Sequence, residues 1–408
     1  MTNAPNPSRR QALAVAAGFG LSLNFVARQG FAASQSGQAS KKLVLVICRG
    51  GMDGLTVAPP VGDPDYEPLR RSLAIGDTAL KLDATFGLHP SLSAVHALAL
   101  AGQARIVPAV ATSDRARSHF EAQDVLESGA ATVYGTASGW LNRAVGSLAA
   151  QRKVEAISIG ATAPLVMRGP AAVSSWSPGK LVNAQARLPS LLQDLYKDDP
   201  VLGPAFARGL ATETMAESAM GDGGMSNMAP AANAKAYLKQ GQDASRKLGE
   251  TVAGFMREPN GPQIAAISLD GFDTHANQLG QLAVRLASLD ALLDGLHTGL
   301  GDGWSDTVVV VATEFGRTAR ANGTAGTDHG TASTALVLGG GLKRGGIIGD
   351  WPTLKSASLF ENRDVTPSLD MRALFKGVLA EQLGVDVKAL DGVVFPGSAG
   401  VKPLVGLA

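Results

Sequence analysis

A polar loop lies between two apolar runs near the middle of the second half of the chain, at residues 308–312 and 335–338. The first run, VVVVA, predicts a strand that is buried on both faces of a sheet. The loop contains Glu314, Asp328 and His329. Carboxylate and imidazole groups bind divalent metal ions, and open α/β sheets place ligands just past the carboxyl ends of their strands. The sequence therefore predicts that this loop supplies part of a metal centre.

A second acidic and histidine-containing segment follows another apolar run, IAAISL at residues 264–269. The segment contains Asp270, Asp273 and His275. An aspartate with a histidine a few residues further on has a spacing that metal ligands use, but such a pair also arises by chance. By itself this segment is weak evidence for a metal site.

The third segment follows the strongest predicted strand, LVLVIC at residues 43–48. It reads RGGMDGL, in which three glycines permit a tight turn and a close approach of the backbone to a ligand. Asp53 then lies at the carboxyl end of a central strand and is a candidate metal ligand. The alternative is an ordinary strand-to-helix turn with an Asx bend. The glycine spacing fits neither a dinucleotide-binding loop nor a P-loop.

The fourth segment follows the predicted strand RIVPAV at residues 105–110. Ser118 and His119 stand side by side in it, and Arg117 precedes them. A serine next to a histidine and near arginines suits a nucleophile in a site for an anion, since guanidinium groups match phosphate and sulfate oxygens. The alternative is that an upstream Ser or Asp caps the next helix and Arg117 is solvated.

The order of strands and helices predicts a three-layer α/β/α sandwich with a mainly parallel sheet. Leucines from Leu279 to Leu300 recur at helical spacing, and helices are also expected at residues 92–100 and from about 234 to 255. Pro108 places its strand near an edge or bends it. All four polar segments should meet at one edge of the sheet, so together they predict one functional site there.

One domain is expected over residues 41–408, with an insertion or cap at about 204–234 that is rich in Ala, Met and Gly. The formal net charge of the 408 residues is only +1, so the composition gives no indication of a nucleic-acid partner. The single cysteine, Cys48, is expected to be a small core residue, so no intramolecular disulfide is possible.

The first 33 residues contain no acidic side chain, and SRRQAL at residues 8–13 is followed by a mildly apolar run. This segment resembles a twin-arginine export signal. The resemblance implies export by the twin-arginine machinery to the periplasm or the exterior. A disordered tail or a membrane anchor is the alternative, although the apolar run is short and broken by glycines.

Motifs along nearly the whole chain resemble the bacterial family called domain of unknown function 1501. They are RGGMDGL, HPSL, SHFEAQD, FDTH, EFGRT and GTDHG, at residues 49–55, 89–92, 118–124, 272–275, 314–318 and 326–330. That family resembles the alkaline phosphatase and sulfatase superfamily. The resemblance implies an alkaline-phosphatase-like fold with one or two divalent ions, and the mixed Asp, Glu and His ligands suit Zn, Mn or similar ions.

In this comparison Glu314 falls on a metal-binding aspartate, and His329 falls on the distant histidine that binds the other metal. Asp270 or Asp273, with His275, falls on the pair that shares the second metal. Phe315 departs from the pattern, because a histidine usually stands there, and Asp53 lies four residues after the usual aspartate position.

The resemblance implies that a metal-activated hydroxyl attacks a phosphoryl or sulfuryl centre of a small anionic ester. Ser118 is the expected nucleophile, with Thr112 and Ser113 as alternatives. Arg117 or Arg317 would hold the non-bridging oxygens. His119 would be either a metal ligand or a general acid.

Three functions remain open from the sequence. They are a metal-dependent hydrolase of phosphate or sulfate esters, an exported protein that binds a metal or an anion without turnover, and a structural scaffold that retains the fold.

Overall fold

The computed structural model describes residues 41–160, 162–178, 196, 199–220, 234–342 and 345–408. The predicted export signal lies outside these residues. The sequence forms an α/β structure with eleven strands in the described part. They are β1 (Lys42–Cys48), β2 (Leu80–Lys81), β3 (Gly87–Leu88), β4 (Ala104–Ala111), β5 (Ala156–Ile159), β6 (Ser174–Trp176), β7 (Ile264–Leu269), β8 (Thr307–Ala312), β9 (Ser333–Leu338), β10 (Gly346–Ile347) and β11 (Leu369–Asp370).

Nine of these strands form the main sheet, in the order β10-β4-β9-β8-β1-β7-β5-β6, and β11 pairs with the same edge of β4 as a short addition. β1 is central and runs parallel to both neighbours, with Val44 opposite Ala265 of β7 and Val309 of β8. Only β9 runs antiparallel within the described sheet, between β4 and β8. The prediction of a mainly parallel sheet is therefore confirmed, and the antiparallel direction of β9 was not predicted.

The helices surround this sheet. They are α1 (Gly54–Val57), α2 (Tyr66–Arg70), α3 (Ser93–Leu100), α4 (His119–Ser128), α5 (Trp140–Ala149), α6 (Leu202–Met220), α7 (Ala234–Arg257), α8 (Gln278–Leu300), α9 (Met371–Leu383) and α10 (Val387–Ala389). Short 3₁₀ turns cover Arg71–Leu73, Gly76–Thr78, Leu165–Met167, Gly301–Asp306 and Ser356–Ser358, and a π-helical turn covers Leu390–Val394.

Alternation along β1 explains the three layers. Val44, Val46 and Cys48 pack on one face with α3, α7 and α8, whereas Leu43 and Leu45 pack on the other face with α5 and α9. Because successive side chains of a strand point to opposite faces, a continuous apolar run requires cover on both sides. The predicted three-layer α/β/α sandwich is confirmed, and Cys48 is a buried core thiol as expected.

Pro108 bends its strand, as the sequence predicts. The register between β4 and β9 shifts between Val107 and Val110, and Ala109 has a positive φ of 53°. Proline has no N–H to donate to a ladder, so it fits at such a bulge. β4 lies next to the edge of the sheet.

The predicted insertion begins as helix α6, which contacts α7 and β6. Phe206 is buried, and Met215 packs against the core beside α7. Residues 221–233 lie outside the described part, so an insertion at about 204–234 stays a prediction. Among the described residues, no helix is both long and apolar enough to cross a membrane.

Candidate metal centre

The carboxyl ends of β1, β4, β7 and β8 lie at one edge of the sheet. β1 is parallel to β7 and β8, and β4 is antiparallel to β9, which is itself antiparallel to β8. Each of these four strands therefore delivers its following loop to the same rim. The loops bring Gly50, His119, Asp273 and Glu314 close together, because all four take part in one set of contacts.

Asp273 is the centre of this set. One ligand atom from each of His119, Asp273 and His329 lies within 4.8 Å of the others. Asp273 Oδ1 is 3.2 Å from His329 Nε2, and Asp273 Oδ2 is 3.4 Å from His119 Nε2. The side chain of Asp273 is 41% exposed, so the group opens to solvent.

His275 approaches the same carboxylate from another direction. Its Nε2 is 2.9 Å from Asp273 Oδ1 and 3.1 Å from His329 Nε2. Its Nδ1 is 3.5 Å from Asp328 Oδ1. The structure thus brings together His275 and His329, which are 54 positions apart in the sequence.

Backbone and carboxylate partners determine which imidazole nitrogens carry lone pairs. His329 Nδ1 faces the Arg117 carbonyl oxygen at 2.8 Å, and His119 Nδ1 faces Glu314 Oε1 at 3.0 Å. An oxygen of this kind accepts, so each contact suits a ring with its proton on Nδ1, and in that neutral tautomer Nε2 keeps its lone pair. The Nε2 atom of His119 is buried, and the oxygen that it faces is Asp273 Oδ2, at the long distance of 3.4 Å.

The arrangement fits a divalent metal ion. Two nitrogens at the usual zinc distance of about 2.0–2.1 Å, in tetrahedral geometry, are roughly 3.3 Å apart. The nitrogen–nitrogen distance of 3.1 Å between His275 and His329 is close to that value. An additional carboxylate from Asp273 completes a set of nitrogen and oxygen donors that a divalent ion accepts. His119, Asp273, His275 and His329 are the residues that would hold the ion.

Glu314, which was predicted to be a metal ligand, lies behind this set. Its carboxylate is fully buried and accepts hydrogen bonds from the Gly50 N–H at 2.8 Å and from Gln123 Nε2 at 3.1 Å. The Thr313 hydroxyl donates to its other oxygen at 3.0 Å. Glu314 thus contacts His119 from behind the grouped ligand atoms, the position from which carboxylates orient metal-binding histidines.

Arg317 also has a supporting position. Its guanidinium is buried and donates to Asp273 Oδ1 at 2.6 Å and to the Thr327 hydroxyl at 3.1 Å. It also donates to the Thr327 carbonyl oxygen. Arg317 was predicted to hold substrate oxygens, but its guanidinium already donates to Asp273 and Thr327. These contacts orient the Asp273 carboxylate.

Asp53, another predicted ligand, forms a buried ion pair with Arg70. It also accepts from Gln278 Nε2 at 2.5 Å and from the Thr56 hydroxyl at 2.8 Å, and it caps α1 through the Leu55 N–H. These donors leave neither oxygen directed to the histidines. The Asx-type turn that was the alternative interpretation describes Asp53 better than the ligand role does.

Two further predicted ligands lie at the margin. Asp270 is exposed and is not among the grouped ligand atoms of the described chain. Asp328 is exposed and contacts His275 and Asn322, at 3.5 Å and 3.2 Å. Asp328 thus supports His275 from outside, and Asp273 rather than Asp270 occupies the centre.

Ser118 is the N-cap residue of α4 and makes no capping hydrogen bond with its side chain. It is half-buried and directly precedes His119. The Ser113 hydroxyl instead donates to the Ala131 carbonyl oxygen at 2.8 Å, and Thr112 and Ser113 line a small cavity against α9. Of the three predicted nucleophiles, Ser118 is the one that directly precedes a residue of the histidine cluster in the chain, and its role stays a prediction.

Arg117 directs its guanidinium away from the histidines. Nε donates to Asp364 at 2.9 Å and Nη2 donates to Glu361 at 2.5 Å. Only its main-chain carbonyl reaches the cluster, at His329. Arg117 was predicted to hold substrate oxygens, but its guanidinium is already paired with two carboxylates.

The pKa directions follow these contacts. The hydrogen bond to Glu314 raises the pKa of His119 above its ordinary value. Burial lowers the pKa of His329, and the nearby charges of His119 and Arg317 lower it further. Burial opposes ionisation of Asp273, but the hydrogen bond and charge of Arg317 outweigh it and hold the pKa of Asp273 below its usual value. Histidine at position 329 is thus favoured in the neutral form that binds metals.

Sequence reasoning missed several supporting residues. Phe315 packs its ring against His119 and His329, with ring centroids 4.9 and 4.8 Å apart. Gln123 lies one helical turn after His119, a spacing that places both on one face of α4. That spacing is a signal that the sequence did offer, whereas nothing in the sequence pairs Gln278 with Asp53.

A family model described as "Protein of unknown function (DUF1501)" matches residues 40–394. The chain belongs to this family. The resemblance to this family that the sequence motifs predicted is thereby confirmed over most of the chain. Among curated proteins, none matches it.

The DUF1501 protein is also similar to solved structures at low sequence identity. The lipoteichoic acid synthase LtaP from Listeria monocytogenes is 11% identical over 89% of this chain and 76% of that chain, with a TM-score of 0.38. The phosphonate monoester hydrolase of Agrobacterium radiobacter is 12% identical over 89% and 78%, with a TM-score of 0.37. An alkaline phosphatase from an Antarctic bacterium is 11% identical over 75% and 94%, with a TM-score of 0.35.

Proposed function

We propose that this DUF1501 protein is a metal-dependent hydrolase of phosphate or sulfate esters. The observation that supports it most is the convergence of His119, Asp273, His275 and His329 at the carboxyl edge of the sheet. Two of the imidazoles have their Nδ1 atoms engaged by oxygens, so their Nε2 lone pairs are available to one ion. One ion, Zn or Mn, fits this set.

A bound divalent ion would supply positive charge that lowers the pKa of a hydroxyl group and neutralises charge on the ester oxygens. The protein supplies the geometry. Glu314 orients His119, and Arg317 orients Asp273. These buried partners restrict the side chains to one arrangement before substrate arrives, which is the condition for efficient electrostatic stabilisation.

Ser118 is the proposed nucleophile. Its Oγ would form a bond to phosphorus or sulfur while the bond from that atom to the ester oxygen breaks, and the alcohol leaves with the proton from the hydroxyl. Water then cleaves the serine ester and releases phosphate or sulfate. The position of Ser118 at the start of α4 supports this role, because main-chain N–H groups at a helix N-terminus favour an anion.

A second candidate is a protein that binds the ion without turnover. The specific observation in its favour is that both nearby guanidinium groups already pair with carboxylates, Arg117 with Asp364 and Arg317 with Asp273. A site for an anionic ester usually offers a free cationic donor to the non-bridging oxygens.

The test measures metal content and turnover in the same preparations. The protein should contain zinc or manganese by elemental analysis and release 4-nitrophenol from its phosphate or sulfate ester. His329→Ala should lose both metal and turnover, and Ser118→Ala should keep the metal and lose turnover. His96→Ala is the matched control, because this histidine contacts the Lys81 carbonyl oxygen outside the cluster. Metal without turnover in the unaltered protein supports the second candidate, and absence of metal rejects both.

A further inference from the structure

Arg117 has an unusual backbone conformation at the point where it contacts the cluster. Its φ is 58°, in the left-handed region that residues with side chains seldom adopt. Its carbonyl oxygen accepts a hydrogen bond from His329 Nδ1 at 2.8 Å. Strained backbone of this kind persists only where surrounding contacts over-determine it.

The contacts that over-determine it come from the loop Phe360–Asp364. The Asp364 carboxylate is fully buried and accepts from Arg117 Nε at 2.9 Å and from the Thr331 hydroxyl at 2.7 Å. The guanidinium of Arg117 also pairs with Glu361 and lies over the Phe360 ring, 5.9 Å from its centroid. Main-chain hydrogen bonds of 2.9 and 3.0 Å between Phe360 and Asp364 close this loop.

We propose that Arg117 is a positioning residue of the metal centre, which acts through its main-chain carbonyl, and that the Phe360–Asp364 loop holds that carbonyl in place. This inference rests on the proposed metal site. The carbonyl fixes the His329 ring with its proton on Nδ1, which leaves Nε2 to bind the ion. The guanidinium contributes by anchoring the backbone and not by contacting substrate.

The physical consequence is specific to the backbone. A residue at position 117 that adopts positive φ readily preserves the carbonyl direction, and a residue that avoids positive φ turns the carbonyl away from His329. Glycine adopts positive φ freely, whereas valine, with two heavy atoms on its Cβ, is strongly disfavoured there. Both substitutions remove the guanidinium, so a difference between them reports the backbone alone.

The experiment compares Arg117→Gly with Arg117→Val in the full protein. Zinc affinity is measured by competition with a chromophoric chelator. We expect the valine variant to bind on the order of 10–100-fold more weakly than the unaltered protein, the range for partners of metal-binding histidines, and the glycine variant to bind on the order of tenfold more tightly than the valine variant. Arg71→Gly and Arg71→Val provide the matched control, because Arg71 is an exposed arginine with a φ of 48°. That pair should not differ in zinc affinity.

A second measurement reports the tautomer directly. Nitrogen-15 shifts of the imidazole rings in zinc-free protein, assigned by difference from His329→Gln, should show Nδ1-protonated His329 in the glycine variant and lose that signature in the valine variant. Equal zinc affinities and equal tautomer signatures in the two variants would overturn the proposal. If the valine variant does not fold, Arg117→Ala takes its place with the same criterion. Failure of the unaltered protein to bind zinc would instead reject the proposed function, while the tautomer measurement still decides the role of Arg117.

Discussion

Replacing Asp53 by alanine should lower the free energy of unfolding of the protein and leave its zinc affinity nearly unchanged. The Asp53 carboxylate is 1% exposed and pairs with Arg70, which is fully buried. Removing one partner of a buried ion pair costs about 3–5 kcal/mol, because the other charge is left without compensation. Arg70 would keep its hydrogen bonds to Thr56 and to the Thr318 carbonyl oxygen, at 2.9 and 3.2 Å, so the low end of that range applies.

Loss of the cap on α1 adds about 1 kcal/mol. We therefore expect Asp53→Ala to lower the free energy of unfolding by about 4 kcal/mol, near the upper end of what single substitutions cost. Zinc affinity should change by less than about twofold, because neither Asp53 oxygen is directed to the histidines and its link to Asp273 passes through Gln278, Thr327 and Arg317.

Urea unfolding in the presence of a chelator measures the stability without a contribution from bound metal. Asp270→Ala is the control, because Asp270 was an equally plausible ligand from the sequence but is exposed. Its free energy of unfolding should stay within about 0.5 kcal/mol of the unaltered value. The reasoning fails if Asp53→Ala loses zinc while its stability falls by less than about 1 kcal/mol, since Asp53 would then act as a ligand.

Two further substitutions test the support of the histidines. His119 has a raised pKa, so its pair with Glu314 stabilises the metal-free protein below the ordinary histidine pKa of 6.5 and loses this effect as pH rises through the raised pKa. Between about pH 6 and about pH 9, the urea midpoint of His119→Gln should therefore fall by less than the urea midpoint of the unaltered protein. Equal falls in the two proteins would contradict this. Gly51→Ala should weaken zinc binding on the order of tenfold in chelator competition, because a Cβ there would overlap the ring of Phe315, which packs against His119 and His329. Gly323→Ala is the control and should have no effect, because the space around Gly323 is open. Equal zinc affinities of the two variants would refute the role of Phe315 in holding the two histidines.

Most of the fold could be predicted from the sequence. The apolar runs at residues 43–48, 264–269 and 308–312 are long enough, and continuous enough, to require a parallel sheet covered on both faces, and the structure has that sheet. The antiparallel direction of β9 could not be predicted, because an apolar strand of six residues has the same pattern in either direction. The export signal at residues 1–33 stays a prediction.

The sequence by itself determined which segments meet, because the carboxyl ends of parallel strands share one rim and the polar residues follow those ends. It did not determine which carboxylates face the histidine cluster. Asp53, Asp273 and Glu314 all follow buried strands, yet only Asp273 meets three imidazoles, whereas Asp53 meets Arg70 and Glu314 meets His119 and main-chain N–H groups. The reason is physical: a buried carboxylate takes whichever donors the packed neighbours offer, and some of these lie far along the chain, such as Gly50 for Glu314, 264 residues away, and Gln278 for Asp53, 225 residues away.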